Sequence, residues 1–166
     1  MRKVIVIGCP GSGKSTFSRR LAEITGLPLF HLDMLHWNAD GTNVPRPVFL
    51  ERLREVLQKD EWIIDGNYGS TMELRMGFCD TVFFLDYPLE ICVAGIKSRK
   101  GKPRPDMPCA TLEDADADFM RTVTDYESQS RPAVMALLQK HSAKKIVIFK
   151  TRNQADNFLA QMPACR

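Results

Sequence analysis

The stretch Gly8-Cys9-Pro10-Gly11-Ser12-Gly13-Lys14-Ser15 places two glycines with four residues between them and follows the second with Lys and Ser. This is the pattern of a phosphate-cradling P-loop. Ahead of it lies Val4-Ile5-Val6-Ile7, a β-branched run suited to a strand buried on both faces, and behind it Phe17, Leu21 and Ile24 recur at helical spacing. Strand, loop and helix therefore stand in the order the pattern needs. The glycines let successive backbone N–H groups curl around one anion, and a helix starting near Lys14 points its positive end at the same place. A triphosphate fits there, with Lys14 reaching its β and γ phosphates, the Ser15 hydroxyl holding Mg²⁺ and Thr16 in support.

Length and composition narrow the setting. A chain of 166 residues with 44% hydrophobic and 26% charged residues suits one globular domain with a proper core. No apolar run approaches the ~20 residues that cross a bilayer, and Met1-Arg2-Lys3 leads straight into a strand, so a cytoplasmic protein without membrane partners is expected. The five cysteines (Cys9, Cys79, Cys92, Cys109, Cys165) form no C-x-x-C pair, which points to free thiols. Cys9 is read as small filler in the loop; a thiolate beside Lys14 is the alternative. The net charge of +3 is too small to argue for nucleic acid. Its distribution says more: Lys97, Arg99, Lys100, Lys102 and Arg104 crowd one span, and Glu113, Asp114, Asp116 and Asp118 another.

Along the chain, helix 1 is expected from about Lys14 to Thr25, stopped by Gly26 and Pro28. Leu29 to Leu32 reads as a short strand ending at Asp33, after which His36 and Trp37 follow closely. With His31, these residues form a cluster just beyond a strand's carboxyl end, where open α/β sheets bind ligands. An acceptor wall is the preferred reading, ahead of plain packing and of zinc, for which no third close ligand is evident. Pro47 opens a helix carrying Phe49, Leu53, Val56 and Leu57, and the strands 62–64 and 81–85 deliver Asp65 and Asp86 into turn-rich sequence. Either Asp suits the Mg²⁺ side, and the other then caps its turn. Leu89, Cys92, Val93 and Ile96 mark a helix running into the basic span, whose glycine and prolines suggest a mobile lid. Thr111-x-x-Asp114 resembles a helix start, a break is expected at Pro132, and 145–149 is the last strand. Thr151-x-x-Gln154 fits a capping box. Strands near positions 3, 29, 62, 81 and 145 alternating with helices predict an α/β fold, a five-stranded parallel sheet with helices on both faces.

On these features the chain resembles the nucleoside-monophosphate-kinase group of P-loop proteins. It is most similar to the adenylate-kinase-related, FlaR-like DNA topology modulation proteins, through His31-Leu32-Asp33, Trp62 to Tyr68 and Ser98 to Arg104. The resemblance covers nearly the whole chain. It implies a single P-loop kinase domain over 1–166, with an acceptor-side segment at about 33–60 and a short lid at about 97–110. Adenylate kinases carry Asp-Gly-Phe-Pro-Arg after the third strand; Asp65-Gly66 matches its start, which implies Asp65 as the Mg²⁺-side carboxylate. Asn67-Tyr68 replaces Phe-Pro, and Arg75 is the candidate to supply the missing Arg. Arg99 is implied to lie against the donor nucleotide.

The expected activity is a kinase moving the γ-phosphoryl of MgATP to a nucleotide or other small acceptor, acting as a monomer or small homo-oligomer. Lys14 and the loop residues Gly8, Cys9, Pro10, Gly11, Ser12, Gly13, Ser15 and Thr16 hold the nucleotide, with Arg99 and Arg152 beside it. Ser15 and Asp65 hold Mg²⁺. Asp33 orients the acceptor or takes its proton, Arg75, Arg99 and Arg104 close over the transferring group, and Asp33, His36, Trp37, Tyr68 and Arg75 line the acceptor. The competing expectation is a nucleotide-binding regulator affecting DNA topology. It is disfavoured because no DNA-reading element is recognisable and the charge balance argues against an extended basic face.

Overall fold

Parallel pairing of the buried runs builds the molecule's centre. The structure, a computed structural model, describes residues 1–99, 101–102, 104–109 and 117–163. Five strands, β1 (Lys3–Gly8), β2 (Leu29–His31), β3 (Trp62–Asp65), β4 (Thr81–Leu85) and β5 (Lys145–Phe149), form one parallel sheet in the order β2-β3-β1-β4-β5. β1 is central, so the connections leave it toward both edges and open a crevice at its carboxyl end. Every residue of β3 and β4 is buried, whereas Lys145 and Ile148 on edge strand β5 are exposed.

Period-two alternation sorts the strand side chains into two cores. Val4, Val6, Ile63, Phe83 and Leu85 face α1 (Lys14–Thr25) and later helices, including Phe17, Leu21, Cys92, Val123 and Leu159. Ile5, Ile7, Ile64, Val82 and Phe84 face the other way, onto Phe49, Leu53, Met72, Met76, Val134 and Leu138. Rings of Phe17 and Phe83 lie 5.3 Å apart and those of Phe83 and Phe158 5.2 Å, at tilted or edge-on angles. Helices thus cover both faces, as the alternating pattern predicts.

The helices are α1, α2 (Leu32–His36), α3 (Arg46–Leu57), α4 (Gly69–Phe78), α5 (Leu89–Arg99), α6 (Ala117–Thr124), α7 (Arg131–Lys140) and α8 (Arg152–Ala160). Gly26 ends α1 in the left-handed conformation, and Pro47 lies in the first turn of α3. The Thr151 hydroxyl accepts the Gln154 N–H, while the Gln154 side chain accepts from Lys150 rather than from Thr151, a capping box displaced by one residue. Three expectations are corrected. Leu32 leaves the sheet and opens α2, because β2 ends where its last partner pair, His31 and Asp65, ends. The basic span starts inside a helix, since α5 continues to Arg99. Pro132 begins α7 instead of breaking the chain, and a π-helical turn, Tyr126–Ser130, leads into it. The helix start read at Thr111 and Asp114 lies outside the described residues.

Two backbone approaches need glycine. Gly11 has φ 82°, and a Cβ there would stand 2.0 Å from the Cys92 carbonyl oxygen, while a Cβ at Gly95 would stand 2.0 Å from the Gly11 carbonyl oxygen. The phosphate loop and α5 therefore touch backbone to backbone. Gly66 has φ 131°, and its Cβ would meet the Leu32 Cβ at 2.8 Å. That missing methyl lets α2 pack over the end of β3.

At the end of β4, Asp86 receives Arg131 through two bonds of 2.8 Å and is also paired with Lys150. It ties β4 to α7 and to the end of β5, so the turn-capping role expected for the second strand-end Asp is replaced by an ion-pair cluster. Burial opposes its charge, but Arg131 and Lys150 outweigh burial and hold the carboxyl below its ordinary value. A depressed carboxyl contributes stability that is present above the unfolded-state pKa and lost as pH falls through the folded one. We expect Asp86→Asn to lower stability by about 1–3 kcal/mol at neutral pH. In urea titrations the gap to the parent protein should be full near pH 7 and close below about pH 4.

Candidate functional site

The residues singled out in the sequence gather at the carboxyl edge of the sheet. Lys14 opens α1, whose N-cap Gly13 provides no side-chain cap, so the helix's first N–H groups keep their capacity for an anion. The Lys14 ammonium donates to the Cys9 carbonyl at 3.0 Å. Burial pushes it below its ordinary pKa, while the charges of Asp65 and Asp33 push back. Cys9 is itself buried, and its thiol is raised by a hydrogen bond with Cys92 and by burial. The thiolate alternative is therefore corrected: Cys9 fills space under the loop.

Asp65 is 3% exposed and paired across the β2–β3 register with His31, whose Nδ1 lies 2.8 Å from its Oδ1. The other oxygen, Oδ2, is buried with no hydrogen-bond partner. Burial alone would lower the His31 pKa, but the hydrogen bond and charge of Asp65 reverse the sign and raise it. His31 was visible in the sequence only as part of a cluster; its pairing depends on strand order.

Asp33, on α2, accepts the Tyr68 hydroxyl at 2.6 Å. Burial lifts its carboxyl above the ordinary range, with the Asp65 charge adding and the Tyr68 bond and Lys14 opposing. Around this pair stands an aromatic wall. The His36 ring lies 4.9 Å from Tyr68, 5.2 Å from Trp37 and 5.2 Å from Phe49, all edge-on. Asp33, His36, Trp37 and Tyr68 are thus brought together; Phe49 joins them, although the sequence marked it only as core.

Arg75 is a correction. It is 0% exposed, and its guanidinium donates to Thr71 Oγ1 at 3.3 Å, the Gly66 carbonyl at 3.1 Å and the Tyr68 carbonyl at 2.9 Å. Burial lowers its pKa to about 10. Shut away from ligands, it satisfies the carbonyls of the turn that presents Tyr68 instead of closing over a phosphoryl group or lining an acceptor.

Arg99 lies 5.9 Å over the Phe119 ring and near enough to Lys14 to oppose its charge. Arg152 sits exposed over α5, donating to the Ile91 carbonyl at 3.4 Å beside Gly95. Arg104 holds Asp106 through Nε to Oδ1 and a terminal nitrogen to Oδ2, both 3.1 Å, and Ser15 Oγ donates to Asp106 Oδ2 at 3.0 Å. Burial opposes the Asp106 charge, but Arg104 and Ser15 outweigh it and hold the carboxyl at about 2. Sequence reasoning missed Asp106, whose signal was a single acid inside a basic, proline-rich run. Thr16 is exposed on α1. Among the described residues no group of three or more His, Cys, Asp or Glu is placed to hold a metal ion. No helix among them is long and apolar enough to cross a membrane.

A parallel sheet in this order, with a P-loop leaving its central strand and carboxylates at the neighbouring strand ends, defines a P-loop NTPase fold of the kinase type. No family model matches the chain. It is similar to the adenylate kinase of Thermotoga petrophila, 28% identical over 97 residues, which are 57% of this chain and 43% of that protein. It is also similar to the shikimate kinase of Rhodococcus jostii, 34% identical over 115 residues, 60% of this chain and 65% of that protein. The chain therefore spans less than half the length of the adenylate kinase and just under two thirds of the shikimate kinase. Among solved structures, a shikimate kinase from Acinetobacter baumannii in complex with shikimate superposes with a TM-score of 0.60 at 16% identity, over 96% of this chain and 91% of that one. A sugar kinase from Janibacter sp. superposes with a TM-score of 0.59 at 17% identity, over 97% and 91%. At such identities the structural likeness is one of fold.

The Arg75 geometry yields a test. Truncating a buried cation that satisfies two carbonyls costs about 3–5 kcal/mol. Arg75→Met should therefore lower the urea midpoint by that equivalent, whereas an arginine acting on a phosphoryl group would leave stability intact and depress turnover alone.

Proposed function

We propose that the protein is an ATP-dependent small-molecule kinase whose acceptor presents a hydroxyl group. The observation that supports this most directly is Asp33. A half-buried carboxylate with a raised pKa, held by Tyr68 and close enough to Lys14 and Asp65 to sense their charges, suits a general base for a hydroxyl. Arg75, the cation expected to meet an anionic phosphate acceptor, is committed to the Gly66 and Tyr68 carbonyls instead. The aromatic wall of His36, Trp37, Phe49 and Tyr68 favours a cyclic or flat acceptor with an apolar face.

In this reading the loop from Gly8 to Ser15 and the start of α1 bind the triphosphate, and Lys14 exchanges its bond to Cys9 for the β and γ phosphates. Mg²⁺ fits the residues present: Asp65 offers a buried oxygen without a partner, Ser15 offers a hydroxyl, and nucleotide phosphates complete an oxygen shell. When bound, the ion neutralises charge developing between the phosphates. Asp33 accepts the acceptor's proton as its oxygen attacks the γ-phosphorus, and the β–γ bridging oxygen leaves with ADP. Arg99 and Arg104, on the segment that serves as lid, steady the transferring group and exclude water. Arg152 lies on the nucleotide side over α5. Likeness to adenylate and shikimate kinases supports phosphoryl transfer in general; the FlaR-like assignment remains part of this proposal.

The deciding experiment scores ADP release from ATP against hydroxy acids, sugars and polyols on one side and nucleosides and nucleoside monophosphates on the other. Turnover with a hydroxyl acceptor is the expected result, and turnover with nucleoside monophosphates alone would overturn the Asp33 role. Asp33→Asn should lower kcat about 10²–10⁴-fold while leaving ATP affinity within about twofold. Because the base works deprotonated and its pKa is raised, the parent's rate should fall with acid at a pH above the ordinary carboxylate range. Acceptor binding should shift the emission of Trp37, since the other indole, Trp62, is fully buried in the core.

A further inference from the structure

Ser15 is the loop hydroxyl placed for a cation, yet its proton is not directed to Asp65. Asp65 commits Oδ1 to His31 and leaves Oδ2 without a hydrogen bond. The Ser15 hydroxyl instead donates across 91 positions of sequence to Asp106 at 3.0 Å. A serine hydroxyl has one proton and two acceptor lone pairs, so it serves a cation well only when its proton has an acceptor elsewhere. Asp106 is that acceptor, and Arg104 fixes both of its oxygens at 3.1 Å. An Arg and an Asp two residues apart would ordinarily pair in solvent for little gain. Here the carboxylate is 6% exposed and spent on the phosphate loop.

We propose that Asp106 is a positioning residue for the metal of MgATP: it takes the Ser15 proton, turns that oxygen's lone pairs toward the cation, and adds a second negative charge beside Asp65. Because Asp106 lies outside the phosphate loop, metal occupancy would draw on both the loop and the segment 104–109. Outer partners of this kind orient a ligand and commonly change metal affinity about 10–100-fold when removed. The inference rests on the MgATP reading given above. A contrasting role has the opposite sign: a carboxylate parked where a phosphate belongs would hinder nucleotide binding, and removing it would tighten ATP with or without metal.

The test uses the full chain, a non-hydrolysable ATP analogue and calorimetry with and without Mg²⁺, with Mn²⁺ bound in the presence of the analogue followed by electron paramagnetic resonance. Asp106→Ala should lose at least tenfold of the affinity gained from Mg²⁺, with metal-free binding within about twofold, and should weaken Mn²⁺ by a similar factor. Asp106→Asn, whose amide oxygen still accepts the Ser15 proton, should fall between Ala and the parent. In Ser15→Ala, adding Asp106→Ala should cost less than it does in the parent, because the shared bond is already gone. Unchanged Mg²⁺ dependence in Asp106→Ala overturns the inference, as does tighter binding in both conditions, which assigns the hindering role. If the parent protein fails to bind the analogue at all, the MgATP reading itself falls and takes this inference with it.

Discussion

A half-buried ammonium at the mouth of a parallel sheet has to be balanced by oxygen. For Lys14 that balance comes from the Cys9 carbonyl in contact and from Asp65 and Asp33, whose charges oppose the effect of its burial. Much of the local architecture follows from bringing those two carboxylates in. Asp65 arrives because β3 lies beside β1, and Asp33 arrives because Gly66 has no side chain to hold α2 away from the end of β3. Filling that gap would move Leu32, the residue before Asp33, and loosen the charge arrangement around the lysine.

Four carboxylates reach this edge, and their surroundings divide the work among them. Asp86 is saturated by Arg131 and Lys150 and serves as a fastening between strands and α7. Asp65 is half-committed, one oxygen on His31 and one open. Asp33 has a neutral donor, Tyr68, and a raised pKa, the condition of a proton acceptor. Asp106 is clamped by an arginine and reaches the loop serine. In the proposed reading the same functional group thus spans structural anchor, ligand, base and positioning roles according to the donors that meet it.

Much of this was legible in the chain. The phosphate loop and the five apolar runs announced the sheet, because parallel strands buried on both faces read as continuous β-branched and aromatic sequence. The grouping of Asp33, His36, Trp37 and Tyr68 followed from the rule that ligands meet strand carboxyl ends. What was not legible depended on side-chain direction and strand order. Nothing in the spacing told that Arg75 would turn inward to the Gly66 and Tyr68 carbonyls, or that His31 would stand opposite Asp65. The short helix α2 was hidden because Leu32 continues the apolar run of β2. Asp106 was masked by the basic residues around it, whose net sign suggested a cationic loop and drew attention from its one acid.

The backbone contact between Gly11 and α5 has a mechanical meaning. With carbonyl oxygens of Cys92 and Gly11 each standing where a methyl group would be, the loop and the helix cannot slide independently, and neither has a compressible side chain between them to absorb strain. Helix α5 is then a stiff lever hinged on the phosphate loop, with Arg99 at its far end leading into the segment that carries Arg104 and Asp106. The backbone of the phosphate loop and the helix that ends at Arg99 are thereby held in one fixed relation. Positions 11 and 95 would accordingly tolerate substitution only as a pair of concerted backbone shifts, which makes them the fulcrum of the molecule although neither has a side chain to contribute.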